Sequence, residues 1–113
     1  MKLAVIGSRK FTDYELLINR LSDYSISQII SGGAQGADTL AADYACTHGI
    51  PLLEIRPDWS RYGRSAGPIR NKEIINKADK VIAFWDGSSR GTAQAVAYAR
   101  SIHRPVDLIV DWG

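Results

Sequence analysis

Residues 27–38 read SQIISGGAQGAD: a short β-branched run breaks into Gly32-Gly33, meets a third glycine at Gly36, and continues into an alanine-rich helical pattern. An apolar run that ends in a glycine turn and then a helix is the unit from which parallel sheets are built. Two further segments repeat it. LAVI at 3–6 runs into Gly7-Ser8-Arg9, and VIAFWD at 81–86 runs into Gly87-Ser88-Ser89-Arg90-Gly91-Thr92. If the runs are parallel strands, the three turns share one rim, where backbone N–H groups can surround an anion.

The same alternation continues in both directions, predicting strands near 2–6, 27–31, 51–55, 80–85 and 105–110. Thr12 and Glu15 stand at capping-box spacing and open a first helix with Tyr14, Leu17, Ile18 and Leu21 on one face. A second helix carries Ala37, Leu40, Ala41, Tyr44 and Ala45 on one stripe and stops at Gly49. A third is expected from Pro68 to Lys77, since proline suits a first turn, and a fourth from Gly91 to Ile102. Residues 56–67 read as the one long irregular stretch. Right-handed crossovers turn this order into an α/β, Rossmann-like three-layer domain covering 1–113, with a parallel sheet of about five strands in order 3-2-1-4-5. Its switch point lies between strands one and four, beside the turns after strands one, two and four.

A chain of 113 residues suits one compact domain. Its 45% apolar and 23% charged fractions are ordinary for a globular protein, and 14 Lys and Arg against 12 Asp and Glu is too small an excess for a nucleic-acid-coating surface. The single cysteine, Cys46, allows no intramolecular disulfide. With no signal peptide and no apolar run of about 18 residues, the expectation is a cytoplasmic protein without a membrane partner.

Around the rim, Ser31, Gly32, Gly33, Ala34 and Gly36 form the strongest signal, because adjacent glycines strip side chains from a strand-to-helix turn. It matches neither GxGxxG nor GxxxxGK[ST], which argues against a conventional dehydrogenase or ATPase. A tight turn needing positive backbone angles would also explain it, and Asp38 equally serves the helix N-terminus by charge alone. Asp86, Gly87, Ser88, Ser89, Arg90, Gly91 and Thr92 combine hydroxyl, backbone and cationic donors, although a plain N-cap accounts for Thr92. Gly7, Ser8 and Arg9 end strand one, where Arg9 is either a ligand contact or a solvated charge. Residues 56–71, RPDWSRYGRSAGPIRN, gather Arg56, Arg61, Arg64 and Arg70 with Trp59, Tyr62 and Asn71. Arginine grips phosphate bidentately and an aromatic ring stacks on a base, so this segment reads as a lid, or as a surface loop covering a helix end. No His, Cys and carboxylate cluster has metal-ligand spacing.

Taken together, LAVIGSR, SGGAQGAD, RPDWSRYGRSAGPIRN and ADKVIAFWDGSSRGT resemble the YspA/YpsA-related family of the SLOG superfamily, which unites the DNA-processing protein A domain with LOG-type phosphoribohydrolases. The resemblance spans nearly the whole chain and implies a nucleotide or nucleotide-derived ligand at the rim, with no further cofactor required. It also implies homo-oligomers, since superfamily members often dimerise through helices flanking the site. The LOG-type enzymes pair an arginine with a glutamate in a PGGxGTxxE turn. Arg70 in GPIRNK resembles that arginine, and Gly91-Thr92 fit the glycine-threonine pair, but Ala95 stands where the glutamate would be.

Alanine cannot stabilise an oxocarbenium-like centre or move a proton. The leading expectation is therefore a receptor that senses or sequesters ADP-ribose, an NAD-like molecule or a signalling nucleotide. An N-glycosidase would need Asp86, Asp38 or Asp58 as a substitute acid beside Arg70. Single-stranded nucleic-acid binding is a third reading, drawn from the likeness to the DNA-processing domain and opposed by the near-neutral charge.

Overall fold

The computed structural model describes residues 1–110. Its apolar runs form five strands, β1 (Lys2–Gly7), β2 (Gln28–Ser31), β3 (Leu52–Glu54), β4 (Lys80–Phe84) and β5 (Val106–Ile109), paired in parallel in the order β3-β2-β1-β4-β5. The predicted sheet order is the observed one. Helices α1 (Tyr14–Leu21) and α2 (Ala37–Thr47) follow β1 and β2, and α5 (Arg90–Ser101) links β4 to β5. Between β3 and β4 lie a one-turn helix α3 (Trp59–Tyr62), a 3₁₀ turn at Gly63–Ser65 and α4 (Ala66–Lys77).

Alternation along the strands divides the core into two layers, because successive side chains leave a strand on opposite faces. Leu3, Val5, Ile29, Ile82 and Phe84 pack with Leu17, Leu21, Ala37 and Ala41 of α1 and α2. Ala4, Ile6, Ile30, Val81 and Ala83 pack with Ile74, Ile75, Ala95, Val96 and Ala99 of α4 and α5. Burial on both faces is what forces these strands to be apolar at nearly every position. Each large side chain removed from water contributes about 1.5–3 kcal/mol. Phe11, after β1, stacks on Phe84 with ring centroids 4.5 Å apart and anchors the first turn to β4. The alanine stripes of α2 and α5 face the sheet, so those faces are spent on the core rather than left free for a second subunit. Among the described residues no helix is long and apolar enough to cross a membrane.

Two local expectations are corrected. Helix α1 is capped by Asp13, whose carboxylate accepts the Leu16 N–H at 3.0 Å, and not by a Thr12–Glu15 box. An ionised cap both satisfies that donor and complements the helix dipole. Asp13→Ala should cost about 1 kcal/mol in urea denaturation, and Thr12→Ala less than about 0.5 kcal/mol; equal losses would contradict the assignment. The stretch 56–67 is also not irregular, because Asp58 caps α3 by accepting the Arg61 N–H at 3.2 Å and α4 begins at Ala66. Pro68 then sits in the first turn of α4, where helix N–H groups have no intrahelical acceptor to lose.

Candidate functional site

The carboxyl ends of β1, β2 and β4 bring the three glycine turns together. Ser8 ties two of them: its buried hydroxyl donates to Asp86 Oδ2 at 3.1 Å, and its backbone N–H donates to the Phe84 carbonyl at 2.9 Å. The Ser8 carbonyl ties in the third by accepting from the Ala37 N–H at the start of α2 at 3.4 Å. Gly7 is required by this closeness, since a Cβ there would lie 2.6 Å from the Phe84 carbonyl oxygen and 2.8 Å from the Ala37 Cβ.

Two carboxylates of the chain itself occupy the donor-rich turns. Asp86 Oδ1 accepts from the N–H groups of Ser88 and Ser89 at 2.9 and 2.7 Å, and these bonds hold its carboxyl below the ordinary value. Asp38 Oδ2 accepts from the Ala34 N–H at 3.0 Å. Asp38 is only 8% exposed. Burial raises its carboxyl to about 6, against the pull of the Ala34 and Gly32 N–H groups and of the Arg70 charge. Those backbone donors are thus satisfied before any ligand arrives.

Above this floor the rim opens into a cleft with two adjoining lobes of about 370 and 360 Å³, each large enough for part of a small ligand. Arg9, Ala34 and Arg70 border both lobes and form the waist between them. Arg70 is half-buried, with Nη1 donating to the Gly32 carbonyl and Nε to Asn71 Oδ1, both at 2.8 Å. Burial lowers its pKa, Asp38 opposes that shift, and the facing charge of Arg9 adds to it. Two cations therefore meet across the waist with one buried carboxylate beneath them.

The first lobe is lined by Gly7, Ser8, Arg9, Ala34, Asp38, Arg70, Asn71, Asp86, Ser89, Gly91 and Thr92 among the residues singled out from sequence. Gly32, Gly33, Arg56 and Trp59 line the second. Ser31, Gly36, Tyr62, Arg64, Gly87, Ser88 and Arg90 line neither lobe. Ser31 is fully buried, with a hydroxyl that has no hydrogen-bond partner among the described residues. Tyr62 instead lies under the Arg61 guanidinium, 5.1 Å from its ring centroid. Asp58 serves the α3 cap and lines neither lobe. Ala95, 3% exposed, forms part of the first lobe's wall.

Sequence reasoning missed Lys10, Gln35 and Pro57, which also border the cleft. Lys10 and Gln35 neighbour residues that were chosen, and only the turn geometry separates them from solvated polar groups. Among the described residues, no cluster of three or more His, Cys, Asp or Glu side chains is placed to hold a metal ion.

Comparison with known proteins gives this rim a lineage. The sequence model of the YspA, cpYpsA-related SLOG family (YAcAr) matches residues 1–62, which include the first two glycine turns and Trp59. The chain is also similar to the Gene 61 protein of Mycobacterium phage D29, with 30% identity over 117 aligned positions covering 93% of each chain. With more than half of its length matched by the family model and a relative aligned almost end to end, the chain belongs to the YspA, cpYpsA-related SLOG family, a membership that points to nucleotide-related binding or processing.

Proposed function

We propose that the protein binds a nucleotide or nucleotide-derived ligand of the ADP-ribose, NAD-like or signalling-nucleotide class, as a sensor or sequestering module, with phosphate at the waist of the cleft. The observation that carries this reading is the pair Arg9 and Arg70, which border both lobes of the cleft; burial lowers the pKa of Arg70, the charge of Arg9 adds to that, and an anion between the two guanidinium groups would offset both. Charge-assisted bonds from guanidinium groups to phosphate are about twice as strong as neutral ones. Ala95 supports a receptor over a glycosidase, since it puts a methyl group in the lobe wall where LOG-type enzymes carry their glutamate. Calorimetry against AMP, NAD and ADP-ribose should give saturable binding to at least one of them. Failure of all three at millimolar concentration would overturn the reading.

One observation favours a hydrolytic alternative. Asp38 is a buried carboxyl, raised to about 6, in the wall of the first lobe, and a general acid or base works best with a pKa near the working pH. Asp86 spends its oxygens on three hydrogen bonds, and Asp58 is outside the cleft, so this mechanism rests on Asp38. It predicts free base released from a nucleoside monophosphate or NAD, detected by chromatography and abolished in Asp38→Asn. Release undiminished in that variant would exclude the mechanism.

A further inference from the structure

Helix α3 spends no side chain on the core. None of its four residues is buried, yet the segment is ordered by a cap in which Asp58 accepts the Arg61 N–H at 3.2 Å and the Ser60 hydroxyl at 2.9 Å. What the helix does hold in place is Trp59, 55% exposed and bordering the second lobe. Leaving half of an indole in water forgoes a large hydrophobic gain. The ring is nonetheless backed on one side, since even a Cβ on Gly67 would lie only 3.7 Å from its Cη2. In the same lobe, the largely exposed Arg56 guanidinium donates from Nε and Nη2 to Glu54 Oε2 at 3.1 and 2.8 Å. Two planar groups thus border one cavity whose floor is glycine backbone.

Resting on the nucleotide reading above, we infer that the second lobe is a base-stacking subsite. The ligand class is then three-part: a sugar in the first lobe, a diphosphate bridge at Arg9 and Arg70, and a nucleoside whose base lies against Trp59. The first lobe, with Ser8, Asp38 and Thr92 in its wall beside Ile6, Ile74 and Ala95, supplies hydroxyl and carboxylate partners for a sugar. Nothing in it offers an aromatic face. Trp59 therefore separates ligands that fill both lobes from those that fill only one.

The test is isothermal titration of ADP-ribose and ribose 5-phosphate against the wild-type chain, Trp59→Ala and Trp59→Phe. Because no α3 residue is buried in the core, both variants should keep the wild-type circular dichroism spectrum, with only a small shift in denaturation midpoint. The wild type should bind ADP-ribose at least about 10-fold more tightly than ribose 5-phosphate, the scale of one base stacked on one aromatic ring. Trp59→Ala should lose roughly 10-fold for ADP-ribose and nothing for ribose 5-phosphate, whereas Trp59→Phe should keep most of the difference. If both ligands bind the wild type equally and Trp59→Ala changes neither, the subsite is refuted while the nucleotide reading stands. If neither ligand binds and AMP and NAD also fail, the nucleotide reading falls and takes the subsite with it.

Discussion

Gly36→Ala should cost on the order of 3 kcal/mol and lower Tm by roughly 15 °C. Gly36 opens α2 with φ 78° and ψ −125°, a conformation that side-chain-bearing L-residues rarely adopt. A Cβ there would collide with the Ser8 carbonyl oxygen and lie 2.7 Å from both the carbonyl carbon and oxygen of Arg9. All three atoms are backbone, so no rotamer change relieves the contact. The Ser8 carbonyl is itself held by the Phe11 and Ala37 N–H groups, and moving it would loosen two turns together. Gly87 provides the control: its φ is also positive, at 85°, but a Cβ there meets nothing within 4 Å. Gly87→Ala should cost only the backbone penalty, about 1–2 kcal/mol. Equal losses in the two variants, measured by urea denaturation, would show that packing against Ser8 and Arg9 is not what fixes Gly36.

Asp38 should impose a distinct pH dependence on stability. Its carboxyl is raised from 3.8 to about 6 in the folded chain, chiefly by burial, so the native state holds a proton that the unfolded chain has released. Stability therefore falls as pH rises from about 4 to 6 and levels off above that window, by on the order of 3 kcal/mol. Asp86 and Asp107 act in the opposite sense. Their carboxyls are lowered from 3.8, so their contribution is present above that value and is lost as pH drops through their folded values. Asp38→Asn should flatten the decline between pH 4 and 6 and leave the variant more stable than the wild type at pH 7. A decline of unchanged slope in the variant would assign it to another group. The same proton bears on ligand binding: an anion at the waist is favoured over neutral Asp38, so affinity should weaken as pH rises through 6.

The architecture was legible because strand burial on two faces demands apolar runs, and the crossovers leave few ways to order five parallel strands. The LAVI, QII and VIAF runs carry that information directly. The rim was legible too, since a switch point puts the turns after β1, β2 and β4 side by side. What the residues did not disclose is where each polar group spends its hydrogen bonds. Asp38 read as a ligand contact or a helix-terminus charge and Asp86 as a ligand contact or substitute acid, and only three-dimensional placement shows them filling the N–H groups of Ala34, Ser88 and Ser89. Tyr62 and Arg64 were chosen by residue type within an arginine-rich segment, but the α3 turn leaves both outside the two lobes. Lys10 escaped notice for the converse reason, as an ordinary surface lysine until the first turn carries it to the cleft.

The clasp between Ser8 and Asp86 bears on the entropy of recognition. Because Asp86 joins the first and third turns through one side chain, and Asp38 closes the second, the rim is set before encounter. Ordering a loop during association subtracts from affinity, and a preformed rim avoids that loss. The molecule accordingly offers a scaffold in which specificity can be altered by exchanging side chains at the waist and at Trp59, while the backbone that presents them holds its own shape.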